Sequence, residues 1–223
     1  SAVEGEVYAM SSMFTALVFW LMLKWEEDAD DPRSYRWIIL ITFLMGLSIG
    51  VHLLNLLTLP ALVMIYYYRR YEVTKKGVVY ALLISVVLLA FMFYMLIPGM
   101  VWLAGHFELF FINSMGLPFN SGTIIFFALL IAIIVFGLQW SRRVGKVVAN
   151  TIFLAFAFLM IGYSTFFILI IRSNANTPIN ENSPRDAISL LAYLNREQYG
   201  ETPLFTGQYF NAPLNQSKEW KDA

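Results

Sequence analysis

The stretch GLSIGVHLLNLLTLP, Gly46 to Pro60, decides how this chain must fold. It lies within a nearly uninterrupted apolar run, Trp37 to Tyr68, whose strongly polar side chains are His52 and Asn55. Two glycines four apart and a closing proline mark a break in that run. As one straight helix the run would be about 48 Å long at 1.5 Å per residue. The hydrocarbon core of a bilayer is only about 30 Å thick. The run is therefore one crossing plus a surface piece, or two short crossings folded back on each other.

Basic residues arbitrate between the two. With two crossings, Lys24, Arg33, Arg36, Arg69, Arg70, Lys75, Lys76, Arg142, Arg143 and Lys146 fall on one side. The opposite connections, Ser1–Glu6, the bend near residues 50–55 and Pro98–Gly122, contain no Lys or Arg. A single crossing would move the seven basic residues from Arg69 to Lys146 to the far side. The positive-inside bias selects two crossings.

Composition sets the class. Residues of the AVILMFWYC set make up 59% of the chain, charged residues 13%, and mean hydropathy is +0.64. A soluble domain carries about twice that share of charge. The expected fold is all-α, a polytopic bundle of about six transmembrane segments at residues 7–25, 37–50, 51–68, 78–97, 123–140 and 147–171. Residues 1–172 form the membrane domain and 173–223 an extracytoplasmic tail, with an amphipathic helix over about 184–197 that starts at Ser183-Pro184-Arg185-Asp186. Pro203 to Ala223 reads as the start of a further domain or linker. No basic cluster is interleaved with aromatics, so a nucleic-acid partner is not expected. Without cysteine, disulfides and thiolate metal sites are excluded. The chain begins at Ser1 with no leader pattern, as a piece of a longer or processed protein would.

Four groups could carry chemistry, each with a plainer alternative. Glu4 and Glu6 sit at the outward mouth of the first segment, either stabilising a helix start or acting as base or metal ligand. His52 and Asn55, three apart, share one face if helix persists; they either glue neighbouring helices or hold an anion near the outer surface. His106 and Glu108, two apart in an aromatic stretch, belong to an interfacial segment or are additional cavity residues. Arg185 and Asp186 read as surface and cap residues. The chain has no Gly-rich phosphate loop, HExxH, GxSxG or CxxC. Asn215-Gln-Ser matches the glycosylation sequon, a weak pattern.

Three strings, GEVYAMSSMFTALVFWLMLKW, GLSIGVHLLNLLTLPALVMIYYYRR and ENSPRDAISLLAYLNREQYGETPLFTGQYF, resemble a family of large bacterial membrane proteins related to protein O-mannosyltransferases. The resemblance implies a GT-C-type glycosyltransferase of the bacterial inner membrane. Its active face would be extracytoplasmic, moving a sugar from a polyprenyl-phosphate donor to a protein or glycan acceptor. Glu6, with Glu4 second, stands where such enzymes carry an acidic residue before an outward-starting helix; a divalent metal is a possible cofactor. His52, with Asn55, stands where the family places a basic residue, often lysine, that contacts the donor phosphate. The resemblance also implies that the loop carrying the main catalytic acid would precede Ser1, so this piece alone would be inactive. Two rival expectations remain: a transporter fragment with a broken-helix substrate site sealed near mid-membrane, and a non-catalytic membrane scaffold.

Overall fold

The computed structural model describes residues 2–175, 177–178, 180 and 182–200, with side chains from Val7 onward. Among these residues the chain is helical throughout, with no strand. Nine α-helices follow in order: α1 Ala2–Glu27, α2 Tyr35–Ile49, α3 Leu59–Arg70, α4 Lys75–Ala90, α5 Ile97–Met115, α6 Ser121–Arg143, α7 Val147–Tyr163, α8 Phe167–Asn174 and α9 Ala187–Leu194. Among the described residues four stretches are long and apolar enough to cross a membrane: Val7–Glu27, Lys75–Met115, Ser121–Arg143 and Val147–Asn174. The chain is an all-α polytopic membrane protein. The apolar helix α2, of 15 residues, is shorter than these four.

Local sequence explains most helix ends. α2 stops at Gly50, and the chain turns through extended His52 into a 3-10 turn, Leu53–Thr58. Pro60 lies in the first turn of α3, where no amide donor is needed. The Thr74 hydroxyl caps α4 by accepting from the Gly77 amide at 3.0 Å. Gly116 ends α5 in the left-handed conformation, φ 65°.

The far end of α3 returns to the α1–α2 turn. Arg69 donates to the Asp30 carboxylate at 2.5 Å and to the Glu26 carbonyl at 3.3 Å, and Arg70 donates to the Ala29 carbonyl. Trp25 stacks on Tyr66 with ring centroids 5.0 Å apart. α3 therefore runs back antiparallel to α2, its end at the level where α2 begins.

A buried cluster joins α1 (Val18, Leu21, Trp25), α2 (Ile41, Met45, Ile49), the bend (Leu56), the α4–α5 junction (Met92, Leu96, Ile97) and α7 (Leu159, Tyr163). α2 and α7 meet backbone to backbone. A Cβ on Gly46 would lie 2.2 Å from the Leu159 carbonyl oxygen, and one on Gly162 would lie 2.4 Å from that of Phe43. Small residues of this kind let membrane helices approach closely. Most other large apolar side chains, such as Val87, Phe136 and Val148, remain exposed. Lipid rather than water suits such a surface.

Two expectations need correction. The stretch Pro98–Gly122 is not a loop following a span that ends at Ile97: a π-helical turn, Phe91–Leu96, leads straight into α5, which continues to Met115. Pro98 is tolerated because it occupies the first turn of α5 beside the wide π turn. The tail helix begins at Ala187 rather than Pro184. Asp186 is its cap, its carboxylate accepting from the Ile188 and Ser189 amides at 2.9 and 2.8 Å, and Ser189 completes the reciprocal box. The stretch Pro203–Ala223, including the Asn215 sequon, lies outside the described residues.

Candidate functional site at the bend

The break between α2 and α3 exposes backbone groups that a membrane cannot hydrate, so the site starts from how they are satisfied. The Ser48 carbonyl accepts from the amides of Val51 and His52 at 3.0 and 2.8 Å. His52 then turns extended (φ −164°, ψ 137°), and its Nδ1 accepts from the Leu54 amide at 3.0 Å, capping the 3-10 turn. A ring whose Nδ1 accepts carries its proton on Nε2. His52 thus presents an Nε2–H donor, which has no hydrogen-bond partner among the described residues.

Asn55, by contrast, is fully buried. Its Nδ2 donates to Ser48 Oγ at 3.0 Å, and its Oδ1 accepts from Thr15 Oγ1 at 3.3 Å. The amide ties α1, α2 and the bend together, leaving nothing to offer a ligand. The anticipated His52–Asn55 pair is therefore split: the extended residue at 52 breaks the helical register that would have put both on one face. Asn55 is bundle glue, and His52 faces the cavity.

That cavity, about 530 Å³, lies at the bend end of the bundle. Its floor is Ile49 to Leu53, Ile97 closes one wall, and Phe166 and Leu169 form another. The end of α9 supplies Tyr193, Arg196, Gln198 and Tyr199. Gly50 seats the bend: a Cβ there would lie 2.9 Å from Thr165 Oγ1, just before Phe166. Arg196 adopts the left-handed conformation, φ 56°, and its guanidinium lies 4.9 Å over the Tyr199 ring. It has no carboxylate partner among the described residues. An imidazole N–H donor and a guanidinium without an ion-pair partner among the described residues therefore line the same cavity. An N–H donor and a guanidinium are groups with which proteins hold anions.

Arg196, Tyr193 and Gln198 were not anticipated from sequence. Nothing local marks them, because they reach the bend only when the tail helix folds back across the bundle.

α1 packs beside the bend, although none of its described residues lines that cavity. Tyr8 lies beside His52 with ring centroids 5.4 Å apart. Ser11, one turn on, is fully buried and its hydroxyl has no partner among the described residues. Glu4 and Glu6 occupy the first turns of this helix, Glu4 one turn before Tyr8; their side chains lie outside the described residues. Among the described residues no three His, Asp or Glu side chains are grouped as a metal site would need.

His106 and Glu108 belong elsewhere. Spaced two apart on α5, they point in different directions, as the helical period requires. His106 is exposed and stacks on Trp102 at 3.8 Å, its Nδ1 2.9 Å from the Trp102 carbonyl oxygen. Glu108 is buried and caps α6: its carboxylate accepts from the Asn120 amide, and from the Thr123 amide and hydroxyl at 2.8 and 3.0 Å. A carboxylate so held against a helix N-terminus is structural.

Residues 1–75, about a third of the chain, match the family model of the protein O-mannosyl-transferase TMEM260 N-terminal domain. This part of the chain is similar to a protein O-mannosyl-transferase. It contains α1, α2, the bend and α3, and so both His52 and the two glutamates. Arg196 and the tail helix lie beyond it. No curated protein and no solved structure matches the chain.

Proposed function

We propose that the chain is the membrane portion of a glycosyltransferase, moving a sugar from a polyprenyl-phosphate donor to a protein or glycan acceptor. The reaction would occur on the extracytoplasmic face of a bacterial inner membrane. Six crossings, counting α2 and α3, would place the bend on that face, opposite the basic loops. The observation that carries the reading is the cavity at the bend, whose lining includes both His52 and Arg196. The similarity of residues 1–75 to an O-mannosyl-transferase domain supports it.

The chemistry follows from the donor. An acceptor hydroxyl oxygen attacks the anomeric carbon, and the bond from that carbon to the phosphate oxygen breaks, its electron pair leaving with the phosphate. His52 and Arg196 would hold that phosphate and stabilise the charge it gains. Glu6, or Glu4, would take the hydroxyl proton or orient the acceptor. A divalent metal, if the full protein uses one, would draw its carboxylate ligands from the same helix start. A transporter would need its polar group sealed in mid-bundle. His52 instead lies at the end of α2.

The test is transfer by the full-length protein. His52→Ala and Arg196→Ala should each reduce glycan transfer at least a hundredfold, the scale of losing one transition-state donor. Membrane expression and helix content should stay unchanged. Unaltered transfer in both variants would remove the proposed role of the cavity.

A further inference from the structure

A second, quite different cavity runs along α3 to the basic end of the helices. A groove of about 550 Å³ runs between α2, α3 and α4, its walls almost wholly apolar, among them Ile41, Leu62, Ala81, Ile84 and Leu88. It lies within helices that face lipid, and Ile84 and Leu88 on its rim are exposed. At one end Tyr66, Tyr67, Tyr71 and Tyr80 form a collar. Tyrosine collars of this kind mark the level of lipid headgroups.

Charge at that end is unevenly spent. Arg69 and Arg70 are engaged with Asp30 and the α1–α2 turn. Lys75 and Lys76, which open α4 immediately before groove-lining Gly77, are exposed and form no ion pair among the described residues. Lys76 stands one turn before groove-lining Tyr80 on the same helix face. Glu72 is the acidic residue nearest in sequence, and it too is exposed. No acidic residue lies in the first turn of α4, where the helix dipole favours one. An apolar slot with an aromatic collar and two unspent cations complements one class of occupant.

We infer that this groove binds an anionic glycerophospholipid, its acyl chains against Ile41, Leu62 and Ile84 and its phosphate on Lys75 and Lys76. The site is independent of the sugar-transfer reading: its tyrosine and lysine end lies away from the bend, and it shares no lining residue with the bend cavity. Under the proposed topology it faces the cytoplasmic leaflet. The lipid would hold α4, which packs mainly on α3, against the rest of the bundle.

The experiment uses the full-length protein reconstituted in vesicles of equal phosphatidylglycerol and phosphatidylcholine, then extracted gently and weighed by native mass spectrometry. Wild type should retain phosphatidylglycerol in preference to phosphatidylcholine. The double variant Lys75→Gln/Lys76→Gln should lose that preference by roughly thirtyfold, for two lysines at an anionic surface. Ile84→Trp, which fills the groove from its exposed rim, should lower retention of both lipids. Circular dichroism checks that both variants fold. Equal phosphatidylglycerol retention by the lysine variant overturns the inference. So does wild type that retains no lipid, since the groove is then covered by another part of the protein. Loss of glycan transfer in bend variants with lipid retention intact would keep the two proposals separate.

Discussion

Replacing Gly46 by alanine adds a single methyl group at the tightest backbone-to-backbone helix contact among the described residues. In an ordinary helix the change is favourable by about 1 kcal/mol, because alanine gives up less backbone freedom than glycine. Here the new Cβ would stand 2.2 Å from the Leu159 carbonyl oxygen and 2.9 Å from the Tyr163 amide nitrogen. Both obstacles are backbone, so no rotamer can relieve them. α2 and α7 must part by about 1 Å to reach ordinary contact, a gap that forfeits a quarter to a half of the dispersion energy at each facing atom pair. Overpacking costs typically about 1–3 kcal/mol, occasionally more. With the propensity gain subtracted, Gly46→Ala should destabilise by about 2 kcal/mol at the upper part of that range. Gly162→Ala, on the facing helix, should cost as much, and the double variant much less than the sum, because one separation relieves both clashes. Gly99→Ala is the control: it lies in helix α5 with nothing within 4 Å of its Cβ, and should be neutral or stabilising. Denaturation in mixed micelles, followed by helical circular dichroism, measures all four variants. If Gly46→Ala behaves like Gly99→Ala, or if the two costs simply add, α2 and α7 do not meet backbone to backbone as described.

Two other parts of the molecule make separate predictions. Glu108→Gln removes a charge that accepts from three donors at the start of α6 and should cost about 1.5–3 kcal/mol, the worth of a hydrogen bond to a charged group. Glu108→Ala, which orphans two amides, should cost more; thermal melts in detergent rank the pair, and the reverse order would contradict the capping role. In the α1–α2 turn, Asp28 accepts from Trp37 Nε1 and Arg36, both at 2.9 Å, and these bonds hold its carboxyl below the usual carboxylate range. A depressed value means that the stabilisation is complete above the ordinary carboxylate pKa and disappears as the pH falls through the lowered one. The Trp37 indole N–H resonance should therefore stay constant down to about pH 4 and move only below it, whereas Asp28→Asn should abolish the movement. Movement between pH 4 and 6 would refute the assignment.

The bend was legible because it rests on two long-range rules that operate through local sequence: an apolar run too long for one crossing, and a one-sided distribution of Lys and Arg. Arg69 returning to Asp30 is the contact that those rules imply. Asn55 was misread because the three-residue spacing assumes a helix, and His52 is the residue at which the helix stops. The α4–α5 junction was misread because Pro98-Gly99 looks like punctuation, although a proline in a first turn and an uncrowded glycine leave a helix intact. The start of the tail helix was placed too early because Ser183-Pro184 looks like a cap. Ser189, standing where Glu or Gln is usual, completed the box from Asp186 instead. Arg196 could not be found at all: its meaning depends on a contact with residues some 140 positions earlier, which no local pattern encodes.

The central claim is that a lipid-linked phosphate sits at the bend, between His52 and Arg196. A polyprenyl phosphate with a diazirine in its first isoprene unit, photolysed on the full-length protein in membranes, tests it most directly. The account predicts labelled peptides from residues 49–53 and 193–199, and loss of that labelling in His52→Ala and Arg196→Ala. Labelling confined to the α2–α4 groove, or unchanged by either substitution, would contradict it.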